Sequence, residues 1–243
     1  MRKIRMFTTL SLQEGQVVVL DETAHRHVTT VLRLRVGAPL SLFNGDGCDY
    51  TGEIERSDRK QTWVRILQRE AVCNESSLKI ELYAAILKGE AMDRVVQKSV
   101  ELGVQKIIPV QTTHTESFPA GARLEKKLEH WQGILIASTM QCGRAVLPLL
   151  APILSFEQII AQTQKDVRWI FSPHDDAVIT HPNLPISDVA ILIGPEGGFS
   201  RSEVRAAIDA GWQPQRLGPR ILRADTAATV AVARAQIQFG DLC

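Results

Sequence analysis

Two stretches of main chain near the C-terminus hold the residues best placed to do chemistry. Leu192-Ile193-Gly194-Pro195-Glu196-Gly197-Gly198 packs three glycines, a proline and a carboxylate into one short turn. Further on, Leu217-Gly218-Pro219-Arg220-Ile221-Leu222-Arg223-Ala224-Asp225-Thr226 supplies a second glycine turn with two guanidinium groups and another carboxylate. Glycine turns present backbone N–H and C=O groups with no side chain in the way, so each loop suits a polar ligand gripped by the main chain. One loop alone reads as an ordinary strand-to-helix turn, whereas two such ends meeting make a cleft. No Gly-Lys-Ser/Thr follows the glycines and Gly-x-Gly-x-x-Gly is missing, which disfavours nucleoside-triphosphate and dinucleotide chemistry.

These loops need rigid elements behind them. Val189 to Ile193 is an unbroken apolar, mostly β-branched run, as expected of a parallel strand covered on both faces. Ser200 with Glu203 forms a capping box for the next helix, and Gly211 is its stop. The second loop runs into an alanine-rich helical stretch from Thr226 to Phe239, with Asp225 or Thr226 as N-cap.

Upstream the same alternation holds. Lys79 to Leu87 predicts a strand, and Glu90 to Leu102 a helix with Met92, Val95, Val96, Ser99 and Val100 on one face, ended by Gly103. Lys106 to Val110 is a strand. The helix from Arg123 to about Met140 turns Leu124, Leu128, Trp131 and Leu135 inward. Ser155 with Gln158 opens another helix, and Val167 to Phe171 is a strand. Such alternation specifies an α/β fold with a mostly parallel sheet flanked by helices.

Before residue 73 the pattern changes to short strands at Val17 to Leu20, Leu40 to Phe43, Tyr50 to Arg56 and Thr62 to Leu67. Asn44-Gly45-Asp46-Gly47 is a hairpin loop, and Thr23 to Val36 admits one short helix with Val28, Val31 and Leu32 inward and Arg26, Arg33 and Arg35 outward. The polar segment Glu70 to Ser77 is the candidate linker. A small β-barrel over residues 1–72 and an α/β domain over 73–243 are therefore expected.

Composition bounds the partners. At 243 residues the chain can bury roughly 70–75% of its unfolded surface. With 28 Lys and Arg against 27 Asp and Glu, any nucleic-acid surface must be a local patch. Arg2, Lys3, Arg5, Arg26, Arg33 and Arg35 give the first 36 residues a mild basic bias. Cys48, Cys73, Cys142 and Cys243 lie far apart with no Cys-x-x-Cys, which suits free thiols in a reducing cytoplasm. No signal peptide, membrane-length apolar run or metal-ligand spacing is visible, so no membrane and no metal are expected.

With these residues in view, the chain resembles the small-subunit ribosomal RNA uracil-N3 methyltransferases of the SPOUT superfamily. Both loops carry the likeness, as do Lys88-Gly89, Met92, Gln97-Lys98, Glu101-Leu102-Gly103-Val104, Trp131, Gln141 to Arg144, and His27 with Val31-Leu32-Arg33. It departs at Ala224-Asp225, where the family usually has Thr-Glu, at Met140 for Glu, and at His114 for Arg.

The resemblance implies a trefoil knot, which general rules of chain topology would not suggest, and pairing of two copies through the knotted domain. It implies S-adenosyl-L-methionine as cofactor, held by Phe171, Ser172, Pro173, Ile193, Gly194, Pro195, Glu196, Gly197, Leu217, Gly218, Ile221, Leu222 and Thr226. Charge developing on a uracil ring losing its N3 proton needs a positive group. Arg223 takes that role, with Arg144 serving the same end from its own chain or from the partner subunit, while Asp225 or Glu196 accepts the proton or holds an arginine. The N-terminal domain looks PUA-like. Arg5, Arg26, Arg33, Lys88 and Arg94 are the expected contacts to 16S ribosomal RNA or the assembled small subunit, Lys88 and Arg94 serving equally to solubilise the rim. A non-catalytic ribosome-assembly factor, or a SPOUT methyltransferase acting at another RNA position, are the other readings.

Overall fold

The computed structural model describes residues 4–115, 121–172 and 185–242. The chain divides into two compact units, Met1–Glu75 with Thr139–Leu147, and Ser76–Ser138 with Pro148–Cys243. The segment 139–147 packs with the first unit.

The first unit is the small β domain expected at the N-terminus. Its five strands are β1 (Arg5–Phe7), β2 (Val17–Val19), β3 (Pro39–Phe43), β4 (Cys48–Ser57) and β5 (Thr62–Ala71), in the order β1-β3-β4-β5-β2. β1 pairs parallel with β3, and the other neighbours are antiparallel. Alternate residues such as Leu40, Leu42, Ile54, Val64 and Ile66 form one core. β4 and β5 slip register between Thr51 and Gly52, where a Cβ on Gly52 would lie 2.5 Å from the Arg65 carbonyl oxygen; only glycine allows that approach. The 44–47 loop joins β3 to β4 as expected, with Asn44 Oδ1 accepting from Asp46 N. β5 continues to Ala71, so the linker starts later than composition suggested.

The single helix expected over Thr23 to Val36 is different. α1 spans Glu22–Arg26, capped by the Asp21 carboxylate accepting from Ala24 N, and continues as a π-helical turn over His27–Val31. The wider turn, closed by Leu32 N donating to His27 O at 2.9 Å, rotates the later residues out of helical phase. Val28 is fully buried as expected, but Val31 is 64% exposed.

The second unit holds β6 (Lys79–Ala85), β7 (Lys106–Gln111), β8 (Leu149–Leu150), β9 (Leu154–Ser155), β10 (Val167–Phe171), β11 (Asp188–Ile193) and β12 (Gln213–Gln215). Their order is β12-β10-β11-β6-β7-β8 with β9 also on β7, and every pairing is parallel. β11 sits centrally with Val189 to Ile193 buried on both faces, which explains its unbroken apolar run. The helices are α2 (Ala91–Glu101), α3 (Ala122–Cys142, whose last four residues count with the first unit), α4 (Phe156–Gln162), α5 (Arg201–Asp209) and α6 (Ala224–Phe239). α2 buries Met92, Val95, Val96, Ser99 and Val100, the face its period predicts, and both expected capping boxes form.

α6 packs along α2. Gln236, 2% exposed, ties the helices together: its Nε2 donates to Leu102 O at 2.8 Å and its Oε1 accepts from Ser76 Oγ at 2.9 Å. Both polar ends of a buried amide are thereby satisfied. α6 starts two residues earlier than predicted, with Arg223 at the N-cap position and Asp225 inside the first turn, so neither Asp225 nor Thr226 caps it.

Candidate active site

In a parallel sheet the carboxyl ends of the strands open onto helix starts, which is where ligands bind in such folds. Here the segments leaving β6, β10 and β11 line one cleft of about 610 Å³ with the start of α6. From the first loop come Ile193 to Phe199, and from the second Ile221 to Asp225; Leu87, Ala91, Arg94, Phe171, Ser172 and Ala227 complete it. Leu217 and Gly218 line a recess that shares Phe171, Ser172, Ile221, Leu222 and Ala227 with the cleft. The two glycine turns, distant in sequence, therefore bound one continuous hollow.

Side chains fix the first turn from several directions. Glu196 Oε1 accepts from Lys88 N at 3.0 Å, joining the β11–α5 and β6–α2 connections, so this carboxylate braces a neighbouring loop and not its own turn. His114 Nδ1 lies 3.0 Å from Gly198 O, and a Cβ on Gly197 would come 3.2 Å from the His114 Cβ. Glu203, 6% exposed, accepts from Thr113 N at 2.8 Å and from Ser200 N at 2.7 Å, fastening the β7–α3 connection to the start of α5.

At the opposite rim Arg94 Nε donates to Asp225 Oδ2 at 2.7 Å, and Thr226 N donates to Asp225 Oδ1 at 2.9 Å. The Arg94 guanidinium, helped by the Thr226 amide against the opposing effect of burial, holds the Asp225 carboxyl below the usual carboxylate range. A carboxylate so stabilised is a weak base. Arg223 is exposed, lines the cleft, and among the described residues makes no ion pair or side-chain hydrogen bond.

Several expected site residues lie elsewhere. Arg144 belongs to the first unit with its side chain 4% exposed, where Nε and Nη2 bind the Glu75 carboxylate at 2.9 and 2.6 Å. A buried arginine bound in this way to a carboxylate is a structural tie within this chain. Arg5 is likewise internal, 8% exposed, paired with Asp49 at 2.7 Å, stacked 4.6 Å over the Phe43 ring and donating to Arg144 O at 2.9 Å. That corrects its reading as an exposed RNA contact. Thr226 is exposed and does not line the cleft. Lys88 is exposed and meets the site through its backbone. Arg94 has its charge engaged by Asp225. Arg26 and Arg33 remain on the surface, Arg26 paired with Glu22 and Arg33 at φ +52° after the π turn. Pro173 lies outside the described residues.

The sequence reading missed Leu87, Ala91, Gly198, Phe199, Ala224 and Ala227 as cleft residues, and Arg216 and Arg220 beside the recess. For Leu87 and Ala91 the signal was present: they follow a strand that had to lie parallel to Val189–Ile193. Among the described residues no three His, Cys, Asp or Glu gather as a metal site, and no helix is long and apolar enough to cross a membrane.

An RNA methyltransferase domain model matches residues 74–236, and an RNA methyltransferase PUA domain model matches residues 20–67. A curated relative named ribosomal RNA small subunit methyltransferase E, from Buchnera aphidicola, is 35% identical over 98% of this chain and 97% of its own length. A solved structure from Legionella pneumophila, in complex with the bound cofactor SAM, is 40% identical and superposes with a TM-score of 0.95 over 100% of both chains. A ribosomal RNA small subunit methyltransferase E from Neisseria gonorrhoeae, bound to S-adenosyl methionine, is 33% identical with a TM-score of 0.90 over 100% of both chains.

Proposed function

Since the chain belongs to the RNA methyltransferase family, carrying both its catalytic and its PUA domain, we propose that it methylates N3 of a specific uridine in 16S ribosomal RNA, with S-adenosyl-L-methionine as donor. The observation that carries this reading is the cleft in which the two glycine turns meet.

The residues present suit the cofactor. Leu87, Phe171, Ile193, Phe199, Ile221 and Leu222 provide apolar surface for an adenine ring, while main-chain groups of Gly194, Glu196, Gly197, Leu217, Gly218 and Leu222 offer polar partners for base, ribose and amino acid. The volume lies within the roughly 300–1,000 Å³ of small-molecule sites. When bound, S-adenosylmethionine supplies the methyl group and the sulfonium that activates it.

The chain's own contribution is alignment and electrostatics. Arg223, at the N-cap of α6, places an unengaged positive charge at the cleft, where it stabilises the anionic uracil ring as the N3 proton leaves. The positive end of the α6 dipole adds to it. Arg94 engages the Asp225 carboxylate, so the proton acceptor in this reading is Glu196, which lines the same cleft. Asp225 acts by anchoring Arg94 and the first turn of α6.

In this reading the C-terminal segments form a trefoil knot and two copies of the chain pair through the knotted domain. Val230 and Ile237, seven residues apart on α6 and 41% and 67% exposed, give that helix an apolar stripe suited to a partner. The enzyme works in the cytoplasm, on 16S RNA or the assembled small subunit. Incubating the protein with methyl-labelled donor and either free 16S RNA or purified small subunits tests this. Label in RNA is expected; donor binding with no transfer to either would leave an RNA-binding assembly factor instead.

A further inference from the structure

Away from the cleft, the first unit carries a wide polar groove of about 660 Å³ between α1 with its π-helical turn and the β4–β5 turn. Three cationic side chains border it, Arg26, Arg59 and Lys60, together with the Thr29 and Thr30 hydroxyls. Arg59 and Lys60 form no ion pair among the described residues. Arg26 has only a fully solvated pair with Glu22, 3.0 Å apart with side chains 70% and 84% exposed, and such a pair exchanges readily for another anion.

Glu22 and Asp21 also line the groove, Glu22 paired with Arg26. Asp21 accepts from Ala24 N at 2.8 Å, and Asp58 accepts from Lys60 N and Gln61 N at 2.8 and 2.9 Å, shaping the turn that presents Arg59 and Lys60.

The informative residue is His25. It is 9% exposed, and its Nδ1 lies 2.8 Å from Thr62 Oγ1, a hydroxyl that is itself buried and 3.0 Å from Ser57 Oγ. This fixes the ring of a residue that lines the groove, and Nε2 has no partner among the described residues. A buried, oriented imidazole with one nitrogen left over marks a place where a ligand atom completes the pairing. Two residues on begins the π-helical turn over His27–Val31, a feature frequent at functional sites.

The geometry points to this groove as an RNA-backbone site. A phosphate lies against Arg59, Lys60 and Arg26, and the 2′-hydroxyl of its ribose bonds to His25 Nε2. Cations beside a fixed hydrogen-bonding nitrogen suit that pair of groups, and the 2′-hydroxyl is what separates RNA from DNA. The inference rests on the RNA-methylating reading above, but it assigns a contact surface that the catalytic cleft does not contain.

Two variants of the full chain test it, by binding to transcribed small-subunit ribosomal RNA and to a single-stranded DNA copy over a series of salt concentrations. R59E/K60E changes only exposed residues, so folding and donor affinity should stay as in the parent. Its RNA and DNA affinities should both fall roughly tenfold, and the slope of log affinity on log salt should drop by about two. H25N keeps a polar partner for the Thr62 hydroxyl where Nδ1 stands but removes Nε2; it should weaken RNA binding several-fold, leave DNA binding unchanged and melt like the parent. Unchanged RNA affinity and salt slope in R59E/K60E would overturn the groove even if the parent methylates RNA normally. Undiminished preference for RNA in H25N would overturn the hydroxyl contact. A parent that binds donor but no RNA would sink both this site and the methylation reading.

Discussion

Arg94 Nε and Asp225 Oδ2, 2.7 Å apart, link the first turn of α2 to the first turn of α6 across the rim of the cleft. Sequence reading gave the first to RNA or to the solvated rim, and the second to proton transfer or to holding an arginine; together they form a latch. Arg94→Ala and Asp225→Asn should each weaken S-adenosylmethionine binding about fivefold, the size of a partly exposed ion pair of about 1 kcal/mol. The swap Arg94→Asp with Asp225→Arg should recover part of the loss. Calorimetric titration of all three checks this, and parent-like affinity throughout would remove the latch from the account.

The same pair makes stability depend on acid. Because the folded Asp225 pKa lies below the ordinary carboxylate value, its contribution is fully present above that ordinary value and is lost as pH falls through the lower, folded one. Thermal melts of the parent and Asp225→Asn should therefore differ near neutrality and converge as the pH falls below the ordinary carboxylate range. A gap that stays constant into strong acid would show that the variant acts by some other route.

Arg223→Ala removes a charge and leaves the fold intact, since this side chain is exposed and unpaired among the described residues. Turnover should fall by roughly 10²–10³ with donor affinity nearly unchanged, the cost of losing one charge-stabilising group. Near-normal turnover would transfer the stabilising role to another residue.

Glu203 is the buried tie between Thr113 N and the start of α5. Glu203→Ala strands those amides and should cost about 2 kcal/mol, lowering the melting temperature by roughly 5 °C. If melting is unmoved, solvent replaces the carboxylate and the tie contributes little.

What the sequence made legible follows physical scale. Periodic burial is local, so the buried face of α2 from Met92 to Val100 and both capping boxes could be read in advance. β8 and β9, at two residues each, and β12, which contains Pro214, are too short to carry a period of two. The π-helical turn at His27–Val31 breaks the helical phase in a way no pattern of apolar residues announces.

Charged residues were hardest to place. The roles of Arg5 and Arg144 depend on Asp49 and Glu75, separated from them by 44 and 69 positions, and an arginine's type does not reveal whether its carboxylate partner is one turn or half a domain away. The glycine loops themselves were visible because glycine and proline act through the backbone they belong to.

The central claim, that the joined loops direct a methyl group to N3 of one uridine, is tested most directly by nucleoside mass spectrometry and primer-extension mapping of 16S RNA after reaction with the purified protein. A single 3-methyluridine is expected with the parent, formed at a rate roughly 10²–10³ lower with Arg223→Ala. A methylated ribose, a methylated base of another kind, or unmodified RNA under conditions where the donor is bound would contradict it.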